Sequence, residues 1–152
     1  MELDFRIIFN EVEKIIEQNK IWYLATSKND KVTARAISIV NEGLNIFFQT
    51  DTAFEKYKQM EFNKNVALVQ GNVQIEGIST LLGHPLEEGN EKFIEKFSAA
   101  HTNAYSLYSH LEGNRVIKIS PVKITMWKYE KNRPYRDFIL VEDQKAYREY
   151  YL

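Results

Sequence analysis

The stretch VTARAISIVNEGLNIFFQTDTAFEK, residues 32–56, contains the pattern that decides the fold. Two runs rich in β-branched and aromatic residues, Val32–Val40 and Leu44–Thr50, are separated by an Asn-Glu-Gly segment that is typical of a short hairpin loop. From Thr52 the spacing becomes helical, and Thr52 together with Glu55 fits an S/T-x-x-E capping box. The stretch therefore predicts two strands in a hairpin, followed by a helix that begins at Thr52.

Along the rest of the chain, the same patterns predict a mainly β (α+β) protein. Ile21–Ser27 is a further strand, which would make an antiparallel meander with the two that follow, and Phe5–Ile16 has the apolar stripe of an amphipathic helix. More strands are predicted at Val66–Val69, Val73–Leu82, Arg115–Tyr129 (interrupted at Ser120-Pro121) and Arg136–Val141, and more helix at Glu87–Phe97 and in part of Ala99–His110. Gly77 inside a strand indicates a bulge or a close backbone approach. About six strands with two or three helices predict a small barrel, in a single domain over residues 1–152.

Composition excludes several classes of function. The chain has no Cys, which excludes a disulfide framework, a Cys zinc site and a thiol nucleophile. The net charge is −1 without a concentrated basic face, so we expect no nucleic-acid partner. Neither G-x-S-x-G nor G-x-G-x-x-G occurs, which argues against a nucleophile elbow and a Rossmann dinucleotide site. The acid-containing, broken apolar pattern at the N-terminus predicts neither a signal peptide nor a membrane span, and we expect a soluble cytoplasmic protein.

The three histidines, His84, His101 and His110, do not indicate a metal site. Their spacing is not that of a ligand pair on one helix, and no close acidic cluster joins them, so no metal is expected. A haem held by a single His remains open, because one axial ligand leaves little trace in a sequence.

The junction from Phe47 to Lys56 is a candidate anion site. A strand ends at Thr50 and a helix follows, so the first helical N–H groups, the Thr50 hydroxyl and the Lys56 ammonium can reach one point. Alternation places Arg35 on the same strand face as the apolar Ile37, which is unusual for an arginine without a partner. An Arg binds a phosphate well through two parallel hydrogen bonds.

The junction and Arg35 can also be accounted for without a bound phosphate. The junction can be plain helix capping, and Arg35 can pair with Glu76 or Asp51. Asp51 and Glu55 would also lie near a bound phosphate, where they would partly cancel the charges of Arg35 and Lys56.

The order RAISIV, hairpin, FFQTDTAFEK, NKNVALV and then a long strand with an inner Gly resembles the pyridoxamine 5'-phosphate oxidase family, also called the FMN-binding split barrel. The resemblance covers Ile21 to Gly83 well and extends more weakly to Trp127. It implies a six-stranded antiparallel split β-barrel with flanking helices. It also implies a homodimer with FMN in a groove at the dimer interface.

Carried over by position, the resemblance also implies roles for individual residues. Arg35 and Lys56 match the residues at the flavin phosphate, and Gln49 and Thr50 match the pair that closes the next strand. Ala36, Ile37 and Ser38 match the strand segment whose backbone runs along the isoalloxazine ring. Asn72, or Gln74 in an alternative alignment, matches an amide near the ring, Trp127 an aromatic residue near the cofactor, and Arg133 a basic residue after it.

The chain departs from the authentic vitamer oxidases at the substrate end. Val40 stands where they have a lysine, Glu55 where they have an arginine, and Arg133-Pro134-Tyr135 lacks their histidine. The resemblance therefore implies an FMN-dependent oxidoreductase whose small-molecule substrate is unassigned, with no catalytic residue identified. A non-catalytic protein that binds flavin, deazaflavin or haem on the same barrel is the alternative.

The aromatic residues of the C-terminal half allow two interpretations. They are Tyr105, Tyr108, Trp127, Tyr129 and Tyr135. They can line a substrate pocket over a flavin, or they can pack in the core and at a dimer interface.

Overall fold

The strands form one antiparallel sheet in the computed structural model, which describes residues 1–152. Ten strands contain 49% of the residues, and four helices accompany them. In chain order the elements are β1 (Glu2–Leu3), α1 (Phe5–Gln18), β2 (Ile21–Lys28), β3 (Lys31–Ser38), β4 (Val40–Glu42), β5 (Asn45–Asp51), α2 (Glu55–Phe62), β6 (Asn65–Gln70), β7 (Val73–Leu81), α3 (Glu91–Ala100), α4 (Thr102–Tyr108), β8 (Asn114–Glu130), β9 (Arg133–Leu140) and β10 (Lys145–Tyr150). None of the helices has the length and apolar character needed to cross a bilayer.

The N-terminal helix α1 forms as predicted. The Asp4 carboxylate accepts a hydrogen bond from the Ile7 N–H at 3.0 Å and caps its first turn. Ile8, Val12 and Ile16 recur on one face and are buried in the core. The helix therefore covers one side of the sheet.

The long strand β8 organises the sheet because it changes neighbours along its length. Its first part pairs with β5, its last part pairs with β9, and β7 lies alongside from Ile117 to Met126. The register against β7 shifts between Glu76 and Gly77, opposite Pro121. A Cβ on Gly77 would lie 2.8 Å from Ile119 Cγ2, so the predicted close approach at this glycine is confirmed. The expected interruption at Ser120-Pro121 is a bulge inside a continuous strand.

The predicted meander and the predicted six-stranded split barrel are only partly confirmed. The run Val32–Val40 changes its partner at Val40: the Ile39 N–H still donates to the Lys20 carbonyl at 2.9 Å, in register with the β2–β3 pairs, but Val40 is paired with Phe47 on β5. β3 pairs with β2 and ends the main sheet, whereas β4 pairs with β5. β3 and β5 are not hydrogen-bonded partners, so the sheet is open between them. The architecture is a mainly antiparallel, open sheet of ten strands, so the finer prediction of a six-stranded split barrel is not confirmed.

Two helices begin later than predicted, and the C-terminal tail, for which no element was predicted, contains a strand. The capping box at Thr52 does not form: α2 begins at Glu55, because Asp51 accepts the Ala53 and Phe54 N–H groups and holds the chain in a turn. The helix predicted from Glu87 begins at Glu91. The unassigned tail forms β10, which pairs with β9 along its whole length.

A buried ionic network joins α1 to the far part of the sheet. Asp137 is fully buried, and its two carboxylate oxygens accept hydrogen bonds from Arg148 at 2.7 and 3.0 Å. Lys128 lies 2.9 Å from the same carboxylate and 2.7 Å from Glu11 on α1. Burial alone would raise the pKa of Asp137, but the hydrogen bonds from Arg148 and Lys128 outweigh it and hold that pKa below its usual value.

Candidate functional site

A cavity of about 450 Å³ lies between the open edge of the sheet and the helices α3 and α4. Six of the residues predicted to bind a cofactor line it: Ala36, Ile37, Ser38, Gln49, Thr50 and Lys56. Phe97, Tyr108 and Leu111 supply an apolar wall on the opposite side. The division of the chain at Ile39 therefore still brings the ends of β3 and β5 to one site.

Arg35 lies on the inward face of β3, as strand alternation predicts; it is not one of the residues that line the cavity, but it directly precedes Ala36, which is. Its guanidinium donates to the Leu24 carbonyl at 3.2 Å, to Thr26 Oγ1 at 2.8 Å and to Thr33 Oγ1. All three acceptors are neutral, and no carboxylate lies within ion-pair distance, so the expected alternatives Glu76 and Asp51 are not its partners. A guanidinium has five N–H donors, and two of them therefore remain free.

Lys56 is partly buried and makes neither a hydrogen bond nor an ion pair. Its ammonium lies 4.9 Å from the centroid of the Phe54 ring. Burial lowers the pKa of Lys56, and the positive charge of Arg35 lowers it further. Burial also lowers the pKa of Arg35, and the charge of Glu55 partly offsets this. Two cations thus lie close together, and neither is within ion-pair distance of a carboxylate.

The two carboxylates near this site are engaged elsewhere. Glu55 pairs with the exposed Lys31 at 3.0 Å, and the hydrogen bond and charge of that lysine lower the pKa of Glu55. Asp51 lines the cavity, but its Oδ1 accepts the Ala53 N–H at 2.8 Å and its carboxylate faces Gly113. No side chain caps α2, so its first N–H groups remain available.

Two buried polar groups at the cavity have no partner. Thr50 and Asn114 are each 4% exposed, and Thr50 Oγ1 and Asn114 Oδ1 accept or donate no hydrogen bond within the protein. Buried polar atoms are otherwise almost always paired, because an unpaired one costs about 1–3 kcal/mol. These two atoms fit a site that a polar ligand completes.

Two residues that the sequence did not indicate belong to the site. Ser109, at the end of α4, is buried and donates to Gln49 Oε1 at 2.8 Å, which fixes the Gln49 side chain beside the cavity. Asn114 begins β8, opposite Asp51. Both lie about sixty positions from the strand that they meet, so no local pattern could have identified them.

Asn72, Trp127 and Arg133 lie away from this cavity. Asn72 and Trp127 bond to each other, through Asn72 Nδ2 to the Trp127 carbonyl at 2.7 Å and the Trp127 N–H to the Asn72 carbonyl at 3.0 Å. Arg133 lies over the Tyr150 ring at 3.9 Å. Gln49 pairs with Val116 on β8, and the eleven positions from there to Trp127 span roughly 35 Å of strand. A single chain therefore does not bring these three residues to the cavity.

Most of the remaining candidates have structural partners. His84 Nε2 bonds to the Leu111 carbonyl and His101 Nε2 to the Ile39 carbonyl, both at 2.8 Å, and no group of His, Cys, Asp or Glu is arranged to hold a metal ion. Among the five aromatic residues singled out in the C-terminal half, Tyr108 lines the cavity, whereas Tyr135 packs on Tyr150.

Comparison with known proteins identifies the fold. No family model matches the sequence, and no curated protein matches it significantly. A pyridoxamine 5'-phosphate oxidase-related, FMN-binding protein from Nostoc punctiforme superimposes with a TM-score of 0.60 at 11% identity, over 97% of this chain and 95% of that chain. An FAD-binding protein from Mesorhizobium loti gives 0.61 at 15% identity, over 76% and 90%. The haem storage protein HutZ from Vibrio cholerae gives 0.64 at 12% identity, over 74% and 88%. The chain has the fold of the pyridoxamine 5'-phosphate oxidase-like, FMN-binding proteins.

Proposed function

We propose that this protein binds FMN and acts as a flavin-dependent oxidoreductase on a small molecule that is still to be identified. The observation that carries the proposal is the pair Arg35 and Lys56, two cations without a carboxylate partner beside the unpartnered hydroxyl of Thr50. Nearby like charges destabilise the free protein, and a phosphate dianion would relieve this repulsion. A phosphate also supplies the acceptors that the free Arg35 donors and the Lys56 ammonium lack.

The strand β3 supports the proposal at the ring end of the cofactor. It is the last strand of the main sheet, so the backbone groups of Ala36–Ser38 on its free edge have no strand partner. Such an edge offers alternating donors and acceptors to the polar rim of a flat ring. Phe97, Tyr108 and Leu111 would cover the apolar part of that ring.

The protein's own contribution is to bind and orient the cofactor. FMN supplies hydride and electron transfer when bound, so the site needs no dedicated acid or base. Arg35, Lys56 and Thr50 would hold its phosphate. Gln49, fixed by Ser109, would present its amide N–H group to the bound molecule.

The substrate end differs from that of a pyridoxamine-phosphate oxidase. Val40, which stands in place of the substrate-binding lysine, is buried in a small cluster with Phe93, Phe97 and Val116. A lysine there would bury its charge in an apolar cluster. We therefore propose a different substrate for this protein.

A second copy of the chain would complete the site. Tyr23 and Val69 are paired across β2 and β6 on the outward face, and they are 51% and 44% exposed. Next to them an open groove of about 460 Å³ is lined by small and apolar residues that include Ala25, Val32 and Val122. An apolar sheet face of this kind usually meets another protein surface. We propose a homodimer across it, which would bring the exposed Asn72–Trp127 end toward the partner's cavity.

The substitution Val69→Glu tests the dimer. A carboxylate in an apolar interface is costly, so we expect the dimer dissociation constant to rise by about 30-fold or more. Light scattering over a concentration series measures it. Leu86→Glu, at an exposed loop position away from this face, is the control and should leave the dimer intact. A wild-type protein that is monomeric at micromolar concentration would contradict the dimer.

The absorption spectrum of the purified protein tests the proposed function. We expect flavin bands, either as isolated or after FMN is added and excess removed. A Soret band would favour the haem alternative, and a deazaflavin would differ from FMN in its absorption maximum. A protein that stays colourless with FMN would overturn the proposal.

A further inference from the structure

Asn114 has a buried side-chain amide at the cavity, and the proposed phosphate-binding site does not use it. It lies at the start of β8, opposite Asp51 and one position along from the strand partner of Thr50. The preceding residue is Gly113, where a Cβ would lie 2.7 Å from Asp51 Oδ2. Asn114 lines the cavity together with Lys56 and with Tyr108 of α4.

The fold has two buried asparagines, and the side chain of Asn114, unlike that of Asn90, has no hydrogen-bond partner. Asn90, which is buried to a similar degree, donates its amide hydrogens to the Leu82 and His84 carbonyls at 3.0 and 2.8 Å. The Asn114 side chain makes no hydrogen bond, and its Oδ1 is completely enclosed. The amide is therefore positioned to bind something outside the chain.

The chemistry of an amide selects the complementary group. An amide offers both donors and an acceptor, whereas a phosphate offers only acceptors at this site. A hydroxyl group donates and accepts, so it satisfies either end of the amide. Haem has carboxylates but no hydroxyl groups, whereas FMN has a sugar-alcohol chain between its phosphate and its ring.

We infer that Asn114 is a further cofactor-binding residue, which binds a hydroxyl of the ribityl chain. This inference rests on the proposed flavin function. The ribityl chain would then occupy the middle of the cavity. The phosphate would lie on one side of it at Arg35 and Lys56, and the ring on the other side along Ala36–Ser38. Recognition by this residue depends on the hydroxyl groups and is independent of the phosphate.

The contributions of the phosphate and of the ribityl chain can be separated by measuring the dissociation constants of three flavins by fluorescence titration. They are FMN, riboflavin, which lacks the phosphate, and lumiflavin, which lacks the whole ribityl chain. In Asn114→Leu we expect FMN and riboflavin to bind about tenfold more weakly, which is the effect of one neutral hydrogen bond, so that their ratio is unchanged. Lumiflavin should bind the variant and the wild type equally.

Stability measurements separate this role from a structural one. Asn114→Leu removes a buried unpaired group, so the thermal midpoint of the free protein should stay the same or rise. Asn90→Leu is the matched control: it should lower the midpoint and leave the preference for riboflavin over lumiflavin unchanged. If Asn114→Leu weakens all three flavins equally, or none, while FMN still binds the wild type, this inference is wrong and the flavin function stands. If the wild type binds no flavin, both fail.

Discussion

Replacing Lys56 with Met should weaken FMN binding by about 10- to 100-fold, and adding Arg35→Ala should extend the loss to about 10²–10⁴-fold, since a hydrogen bond to a charged group contributes about 1.5–3 kcal/mol. Lys56 has no partner in the protein, so its substitution removes only what it would give to a ligand. Isothermal titration with FMN measures the loss.

Stability of the free protein should respond differently from binding. Lys56→Met removes a cation that repels Arg35, and we expect the free energy of unfolding without FMN to stay the same or rise slightly. The double variant should lose some stability, because Arg35 also bonds to Thr26 and Thr33. Lys92→Met is the control: that lysine is exposed and pairs with Glu42 on the surface, and its loss should leave FMN affinity unchanged. Equal losses of binding and stability in Lys56→Met would indicate a structural role for this lysine.

Replacing Asp137 with Ala should destabilise the protein by about 3–5 kcal/mol, because Arg148 and Lys128 would be left partly buried without their common carboxylate. Chemical denaturation at neutral pH measures the change. Glu149→Gln, which removes the exposed partner of Arg136, is the control and should cost less than about 1 kcal/mol. A change below about 1 kcal/mol in Asp137→Ala would show that the network contributes little.

The same carboxylate should make stability dependent on pH. The pKa of Asp137 is lower in the folded protein than in the unfolded chain, where it is about 3.9. Its contribution is therefore complete above the unfolded-state pKa and is lost as the pH falls through the folded-state pKa. The difference in unfolding free energy between the wild type and Asp137→Asn should shrink as the pH is lowered below about 4. A difference that stays constant over this range would contradict the depressed pKa.

Most of the helices and strands, and about half of the site residues, could be predicted from the sequence for identifiable physical reasons. Strand alternation placed Arg35 on the inward face without any tertiary information, and the junction after Thr50 located Lys56. The start of α2 was wrong because Asp51 holds the turn that Thr52 was expected to cap. The meander was only partly right, because β2 pairs with β3 but the chain from Val40 pairs with β5 as a separate strand, and a sequence does not show where a strand changes its partner.

The remaining part of the site depends on contacts between distant segments. Ser109 and Asn114 have ordinary sequence surroundings, and only the packing of α4 and β8 against β5 gives them a role. Asn72 and Trp127 show the opposite case. The family resemblance assigned them to the cofactor, but within one chain they lie at the start of β7 and near the end of β8, away from the cavity, so their assignment depends on the proposed homodimer.

Comparing the affinities of the wild-type protein for FMN and riboflavin is a direct test of the proposed phosphate site, because the two ligands differ only in the phosphate. If Arg35, Lys56 and Thr50 form a phosphate site, FMN should bind at least about 100-fold more tightly than riboflavin, as two charge-assisted hydrogen bonds require. The preference should weaken at high salt, since the interaction is between charges. Equal affinities for the two flavins, or no binding of either, would contradict a phosphate site at Arg35, Lys56 and Thr50.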